Sequence, residues 1–138
     1  MADDSPLRVL IAEDDDEFRA ALCEGFQDAG YQVTSCRHGV DLVRELRSLE
    51  TPARPEEFDV IVSDIRMPGI TGLSVLAGLR GMDGIPPIIL ITAFGDEETH
   101  AEARELGAAA LLDKPFEMSE LLGKVRDAVA SRASDPAP

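Results

Sequence analysis

The chain has 138 residues, of which 44% are hydrophobic and 29% are charged. This length and composition are typical of one globular domain that buries a core without disulfides, and they exclude collagen-like, disordered and membrane-spanning classes. The formal net charge of -14, from 27 acidic and 13 basic residues, opposes direct contact with the phosphates of nucleic acids or membrane surfaces.

The first half of the chain alternates apolar runs with helical patterns. Leu7–Ala12 is an aliphatic run that predicts a strand, and the acidic residues 13–17 follow it directly. A first helix is then predicted to end at Gly30, where a left-handed residue terminates helices. Tyr31–Ser35 predicts a second strand, and a second helix leads into a proline-containing loop at residues 50–57. The two helical stripes consist of Phe18, Ala21, Leu22 and Phe26, and of Leu42, Val43, Leu46 and Leu49.

The second half of the chain repeats this alternation. Phe58–Ser63 predicts a third strand, and the turn-forming segment 64–72 leads into a third helix. Ile88–Ile91 is the unbroken aliphatic run of a central strand. A fourth helix is predicted over Asp96–Gly107, with the aspartate as its cap, and Ala110–Leu112 predicts a fifth strand before a last helix. The stripes of the third and last helices consist of Leu73, Leu76 and Leu79, and of Leu121, Leu122, Val125, Ala128 and Val129.

Five predicted strands that alternate with five predicted helices indicate an α/β fold. Such a pattern is typical of a doubly wound parallel sheet with right-handed crossovers and helices on both faces. Functional sites in these sheets lie at the carboxyl ends of the strands, near the point where the strand order reverses. We predict one domain over residues 7–131, with short tails at 1–6 and 132–138.

The cysteines and the amino-terminal sequence indicate the cellular compartment of the protein. Cys23 and Cys36 form no CxxC pair and are too few for a disulfide framework or a zinc site, which predicts reduced thiols. The start of the chain, MADDSPL, is acidic where a signal peptide is basic and then apolar, and no apolar run approaches the roughly 20 residues of a membrane span. We expect a cytoplasmic protein without a membrane partner.

Four of the five predicted strands end in side chains that can bind phosphate or metal. These are Glu13 and Asp14 after the first strand, Asp64 after the third, Thr92 at the end of the fourth and Lys114 after the fifth. Three carboxylates in one crevice repel each other unless a divalent cation lies between them, and oxygen ligands suit Mg2+. A lysine and a threonine beside them would supply charge and a hydrogen bond to a phosphoryl group. The pattern therefore predicts phosphoryl transfer.

Each of these residues also has an ordinary structural interpretation. An acidic run favours the start of a helix, Asp64 is a typical turn residue, and Lys114 beside a proline is typical of a protein surface. Taken singly, the ordinary interpretations are preferred. The order acid, acid, hydroxyl and amine at the ends of the strands is what favours a functional site.

Four local strings carry a resemblance to a known family. They are VLIAEDD, VSDIRMPGITG with the spacing D-x-x-M-P-x-x-x-G, ITAF and LDKPF. Together, and over nearly the whole chain, they resemble the receiver domain of bacterial response regulators in two-component signalling. The resemblance implies a flavodoxin-like parallel sheet of five strands in the order 2-1-3-4-5.

The resemblance also implies a ligand set and a phosphoacceptor. Asp64 would accept the phosphoryl group. Glu13, Asp14 and Asp64 would hold Mg2+ together with the backbone carbonyl of Arg66. Glu13 stands where the family more often has aspartate, which keeps the charge.

The remaining implied roles concern the other strand ends. Thr92 would act as the switch residue and Lys114 would contact the phosphoryl oxygens, with a cis peptide bond before Pro115. The phosphoryl donor would be the phosphohistidine of a sensor histidine kinase or a phosphotransfer protein, and the product an acyl phosphate that water later hydrolyses. The chain would thus catalyse only its own phosphorylation and dephosphorylation.

The signal would leave through the face formed by the fourth helix, the fifth strand and the fifth helix. That face would regulate a downstream protein or an output domain outside this chain, or form a phosphorylation-dependent dimer. Leu111 stands where many receivers carry an aromatic residue that follows the movement of the switch threonine. Arg66 and Phe94 occupy positions that flank the path of the attacking water, which predicts slow decay of the acyl phosphate.

Two alternatives remain open from the sequence. One is a receiver that acts as a docking module without phosphorylation. The other is a Mg2+-dependent phosphatase with an aspartate nucleophile. Such phosphatases carry a D-x-D motif on their first strand and a cap for the substrate, whereas here Asp64 is followed by Ile65 and Arg66 and the chain is too short for a cap.

Overall fold

The computed structural model describes residues 6–47, 58–67, 70–79, 85–93 and 95–134. Within these ranges five strands alternate with five helices, as the sequence predicts. The strands are β1 (Arg8–Ala12), β2 (Gln32–Cys36), β3 (Val60–Asp64), β4 (Ile88–Thr92) and β5 (Ala110–Asp113). The helices are α1 (Asp16–Asp28), α2 (Gly39–Arg47), α3 (Gly72–Leu79), α4 (Glu97–Glu105) and α5 (Met118–Ser134).

The strands form one parallel sheet in the order β2-β1-β3-β4-β5. The predicted fold class and strand order are confirmed. The chain reverses its direction of travel across the sheet between β1 and β3, which makes their carboxyl ends the topological switch point. In the register of the sheet, Ala12 lies opposite Ser63, Asp64 opposite Ile91, and Thr92 opposite Asp113.

Alternation along the strands divides the core into two layers. Even-numbered residues of β1 and β4, such as Leu10 and Leu90, face one layer, which contains buried side chains of α2, α3 and α4. Odd-numbered residues, such as Ile11 and Ile89, face the other layer with α1 and α5. Because both faces are covered, the central strands consist almost entirely of aliphatic residues.

Local signals in the sequence place several helix ends correctly. Gly30 and Gly107 follow α1 and α4 with φ angles of 94° and 92°, in the left-handed region that glycine adopts without a Cβ clash. Asp96 caps α4 and accepts a hydrogen bond from the backbone N–H of Thr99 at 2.8 Å. These three predictions are confirmed.

Other boundaries differ from the predictions. Asp64 was expected just beyond the third strand, but it is the last residue of β3, because the ladder continues to a hydrogen bond from Ile65 N to Ile91 O of 2.9 Å. Helix α5 continues to Ser134, and the domain end at residue 131 stays a prediction.

Some predicted features lie outside the described residues. They are the end of the second stripe at Leu49, the loop at 50–57, the turn residues Pro68 and Gly69, and Phe94. In the described part of the chain, none of the helices combines the length and the apolar character that crossing a bilayer requires.

Gly72 permits a close approach between α3 and the end of β3. A Cβ at this position would lie 2.7 Å from the carbonyl oxygen of Asp64 and 3.1 Å from the Cα of Ile65. Because these are backbone atoms, they cannot move aside as a flexible side chain does. We expect Gly72→Ala to lower the free energy of unfolding, measured by urea denaturation, by about 1–3 kcal/mol.

Gly78 in the same helix is the matched control. A Cβ there meets nothing within 4 Å. Gly78→Ala should leave the free energy of unfolding unchanged or raise it by up to about 1 kcal/mol, since alanine favours a helix over glycine. Equal losses at the two positions would contradict the role of the close approach.

Candidate functional site

Polar side chains meet at the carboxyl edge of the sheet. Glu13 follows β1, Asp64 ends β3, Thr92 ends β4 and Lys114 follows β5. Glu13, Asp64 and Thr92 are buried, with 1%, 5% and 2% of their surfaces exposed. Buried charges require partners, so the contacts among these residues decide what the site can bind.

Glu13, Asp14 and Asp64 form an acidic cluster. Each offers a carboxylate oxygen, and these oxygens lie within 4.8 Å of one another. Asp14 is only half-buried, which leaves one side of the cluster open to solvent. Hard oxygen donors with an open side fit the preferences of Mg2+, which keeps several water ligands. The sequence prediction that these three residues lie together is confirmed.

Lys114 joins the two buried carboxylates. Its Nζ donates hydrogen bonds to Glu13 Oε1 at 2.9 Å and to Asp64 Oδ2 at 2.7 Å. The same Nζ lies 4.3 Å from the centroid of the Phe18 ring. The peptide bond between Lys114 and Pro115 is cis, as the resemblance implies.

One ammonium group between two carboxylates leaves an excess of negative charge. Burial, reinforced by the neighbouring Asp64, raises the pKa of Glu13 to about 7, although the hydrogen bond from Lys114 acts in the opposite direction. Burial alone would lower the pKa of Lys114, but its hydrogen bonds to Asp64 and Glu13 outweigh that effect and raise it. The lysine therefore stays charged, while Glu13 holds a proton over part of the time near neutral pH.

The carboxylate of Asp64 is fixed by contacts on both of its oxygens. The backbone N–H of Arg66 donates to Oδ1 at 2.8 Å, and Lys114 donates to Oδ2. The hydroxyl of Ser63 donates to the backbone carbonyl of Asp64 at 3.0 Å. The side chain of Arg66 itself is exposed. The carboxylate is therefore oriented at the crevice, with 7% of the side chain exposed.

Thr92 is connected to the site through the backbone. Its carbonyl oxygen accepts a hydrogen bond from the N–H of Lys114 at 2.7 Å. One residue earlier, Asp113 lies against His100 of α4, with 3.0 Å between Asp113 Oδ2 and His100 Nε2. The strand end that carries the lysine thus contacts α4 directly. Leu111, on the same strand, is partly buried against the layer that contains α4.

The acidic run at residues 13–17 divides into two functions. Asp15 caps α1, since its Oδ1 accepts hydrogen bonds from the backbone N–H groups of Glu17 and Phe18 at 3.0 and 3.1 Å. Asp16 pairs with Arg19 at 2.7 Å, a hydrogen bond that lowers the pKa of Asp16. The helix-start interpretation is confirmed for Asp15, while Glu13 and Asp14 lie with Asp64 in a cluster that could hold a metal ion.

Sequence reasoning missed two residues that contact the site. Arg19 Nη1 donates to the backbone carbonyl of Glu13 at 3.0 Å, and Phe18 faces Lys114. Phe18 was interpreted only as part of the apolar stripe of α1, and that interpretation is correct for its packing. No spacing in the sequence indicates that its ring also contacts a residue far along the chain.

Three comparisons with known proteins bear on this site. A family model described as "Response regulator receiver domain" matches residues 9–126. The chain is 37% identical over 129 residues to the C4-dicarboxylate transport transcriptional regulatory protein DctD of Pseudomonas aeruginosa, covering 94% of this chain and 26% of the relative. It is 34% identical over 127 residues to the transcriptional regulatory protein PrrA of Mycobacterium tuberculosis, covering 92% of this chain and 52% of the relative.

Solved structures agree with the sequence matches. The receiver domain of the Francisella response regulator 1452 superimposes with a TM-score of 0.80 at 27% identity, over 93% of this chain and 99% of that one. The chain spans only about a quarter to a half of the length of the two curated relatives. Both relatives therefore contain further sequence beyond the part that this chain matches.

The raised pKa of Glu13 predicts a pH dependence of stability in metal-free buffer. Between pH 4.5 and about 7 the folded chain holds a proton that the unfolded chain has released. The contribution of this carboxyl is therefore complete below pH 4.5 and is lost as the pH rises through 7. Glu13→Gln, which keeps a neutral side chain, should remove up to about 1.4 kcal/mol per pH unit from the slope of the unfolding free energy.

Urea denaturation at a series of pH values measures this slope. Glu17→Gln is the matched control, because Glu17 is an exposed residue of the same acidic run. The control should retain the pH dependence of the wild type. Identical slopes for Glu13→Gln and the wild type would show that burial does not hold a proton on Glu13.

Proposed function

This chain belongs to the response regulator receiver domain family of two-component signalling, and on that premise we propose that it accepts a phosphoryl group on Asp64. One observation carries the proposal. The Asp64 carboxylate is oriented by the Arg66 N–H and by the Lys114 ammonium, beside the carboxylates of Glu13 and Asp14. An oriented nucleophile, a positive charge and a cation site are the parts that phosphoryl transfer requires.

The proposed reaction transfers a phosphoryl group between two proteins. An oxygen of Asp64 forms a bond to phosphorus, and the bond from phosphorus to the imidazole nitrogen of the donor breaks, so that the histidine leaves. The donor is the phosphohistidine of a sensor histidine kinase or a phosphotransfer protein. Because the nucleophile attacks as a carboxylate, no general base is needed. Water later hydrolyses the acyl phosphate. Both steps therefore take place on Asp64 of the chain itself.

Electrostatic repulsion is the main barrier when two anions react. Lys114 lies 2.7 Å from Asp64 and can shift its hydrogen bond to a phosphoryl oxygen. Glu13, Asp14, Asp64 and the backbone carbonyl of Arg66 would hold Mg2+, which supplies further positive charge when bound. Arg66 is well placed for this because its N–H already donates to Asp64.

The proposed output runs from Thr92 to the face formed by α4, β5 and α5. Thr92 would contact the phosphoryl group, and its carbonyl already binds the N–H of Lys114. The contact of Asp113 with His100 extends this connection to α4. With Leu111 in the position of an aromatic residue, the change at this face would not depend on the rotation of an aromatic side chain.

We place this domain, over residues 7–131, in the cytoplasm. Its face would regulate a downstream protein or an output domain outside this chain, or form a phosphorylation-dependent dimer. Slow decay of the acyl phosphate stays a prediction. The side chain of Arg66 is exposed, whereas Phe94 lies outside the described residues.

A small phosphodonor tests the phosphoacceptor. With Mg2+ and acetyl phosphate, we expect intact-mass spectrometry to show one added phosphoryl group on the wild type and none on Asp64→Asn. Asp59→Asn is the matched control. Asp59 immediately precedes β3, and its carboxylate accepts a hydrogen bond from the N–H of Arg8 rather than from a residue of the site.

Each outcome distinguishes the proposal from its alternatives. An unmodified wild type would favour a receiver that docks without phosphorylation. Sustained hydrolysis of p-nitrophenyl phosphate by the wild type, beyond one equivalent, would favour a phosphatase. Loss of labelling in Asp59→Asn as well as in Asp64→Asn would indicate a general loss of the fold.

Calorimetric titration with Mg2+ tests the acidic cluster. Asp14→Asn should weaken Mg2+ binding by about tenfold or more, since it removes a direct ligand, and even outer contacts of metal sites change affinity by that factor. Asp16→Asn is the control, because Asp16 belongs to the same acidic run but pairs with Arg19 and Arg37. Equal weakening by the two substitutions would indicate a diffuse effect of charge instead of a site at Asp14.

A further inference from the structure

Within the described part of the chain, the ammonium of Lys114 contacts three side chains, and one of them is not polar. Two N–H groups point to Glu13 and Asp64, at 2.9 and 2.7 Å. The third neighbour is the ring of Phe18 on α1, whose centroid lies 4.3 Å from Nζ. A lysine ammonium at this distance is attracted to the negative face of an aromatic ring. The ring thus occupies a side of the ammonium that water would otherwise fill.

The ring of Phe18 is itself held in place. Phe116 packs against it edge to face, with 5.8 Å between the ring centroids and 76° between the ring planes. This geometry is favourable for aromatic pairs. Phe116 follows Lys114 by two residues, so the loop that carries the lysine also carries the residue that orients the ring. The aromatic pair therefore joins α1 to the end of β5 on the side of the site opposite to α4.

The three contacts differ in what the proposed reaction does to them. Glu13 and Asp64 belong to the acidic cluster, and both would change partners when a cation and a phosphoryl group bind. The ring of Phe18 belongs to neither process. A lysine has a long flexible stem, so a contact that persists through the reaction limits where the ammonium can go.

We propose that Phe18 is a positioning residue, whose ring face holds the Lys114 ammonium at the crevice while phosphoryl transfer to Asp64 takes place. This inference rests on the proposed function of Asp64. It distinguishes Phe18 from an ordinary core residue, because an aliphatic side chain of similar size would fill the same space without attracting a cation.

The first test observes the lysine directly. The sequence contains two lysines, Lys114 and Lys124, so a spectrum of protein labelled with 13C at the lysine ε position contains two sets of signals. The ring current of Phe18 should displace the signals of Lys114. We expect Phe18→Leu to abolish the displacement and Phe18→Tyr to retain it, while Lys124 stays unchanged as an internal reference. Unchanged Lys114 signals in Phe18→Leu would overturn the proposal.

The second test measures the rate of labelling by acetyl phosphate at saturating Mg2+. Phe18→Leu should react about two- to fivefold more slowly than the wild type. This factor corresponds to the interaction energy of a partly exposed contact between a cation and an aromatic ring. Phe18→Tyr, which keeps the ring face, should react at nearly the wild-type rate. A wild-type rate for Phe18→Leu, or an equal loss in Phe18→Tyr, would overturn the positioning role.

A control separates positioning from stability. Phe26 lies on the same helix and is fully buried. Its ring packs against that of Tyr31, away from the site, with 5.1 Å between the ring centroids. Phe26→Leu should lower the free energy of unfolding at least as much as Phe18→Leu while the labelling rate stays unchanged. If the wild type takes up no phosphoryl group, the proposed function fails and the role of Phe18 in it fails too. If the wild type is labelled and Phe18→Leu is labelled as fast, only the role of Phe18 fails.

Discussion

The ion pairs of Lys114 with two buried carboxylates govern the rest of this site. Removing a carboxylate from water is costly, and a charge of opposite sign at hydrogen-bond distance offsets that cost. Glu13 and Asp64 share one ammonium, and burial of Glu13 beside Asp64 raises the pKa of Glu13 although Lys114 opposes that shift. A crevice with this imbalance favours additional positive charge. This imbalance fits the acidic cluster as a group that could hold a metal ion.

The sheet and the acidic run together supply this arrangement. Parallel register brings the ends of β1, β3, β4 and β5 to one edge, so residues far apart in sequence become neighbours. At the start of α1, Asp15 satisfies the free N–H groups of the helix and Asp16 pairs with Arg19. Glu13 and Asp14, which precede these two residues, lie at the crevice with Asp64.

The contacts of Lys114 also connect the crevice with the elements on either side. Towards α1, the ammonium meets the ring of Phe18, which packs on Phe116. Towards α4, the backbone of the lysine binds Thr92, and the preceding Asp113 meets His100. A change in the position of Lys114 would therefore alter contacts with α1 and α4, which lie on opposite faces of the sheet.

The sequence alone determined the fold class, the strand order through its resemblance, the glycine terminators after α1 and α4, and the membership of the acidic cluster. These features depend on periodicity, on backbone conformations that only glycine adopts easily, and on strand ends that parallel topology must bring together. Tertiary structure alone decided that Glu13 is the buried member of the acidic pair, that Asp64 belongs to β3, and that Phe18 faces Lys114. Burial depends on how the helices pack on the sheet, and so do contacts between residues about 100 positions apart in sequence. No local pattern of side chains indicates which distant residues will meet.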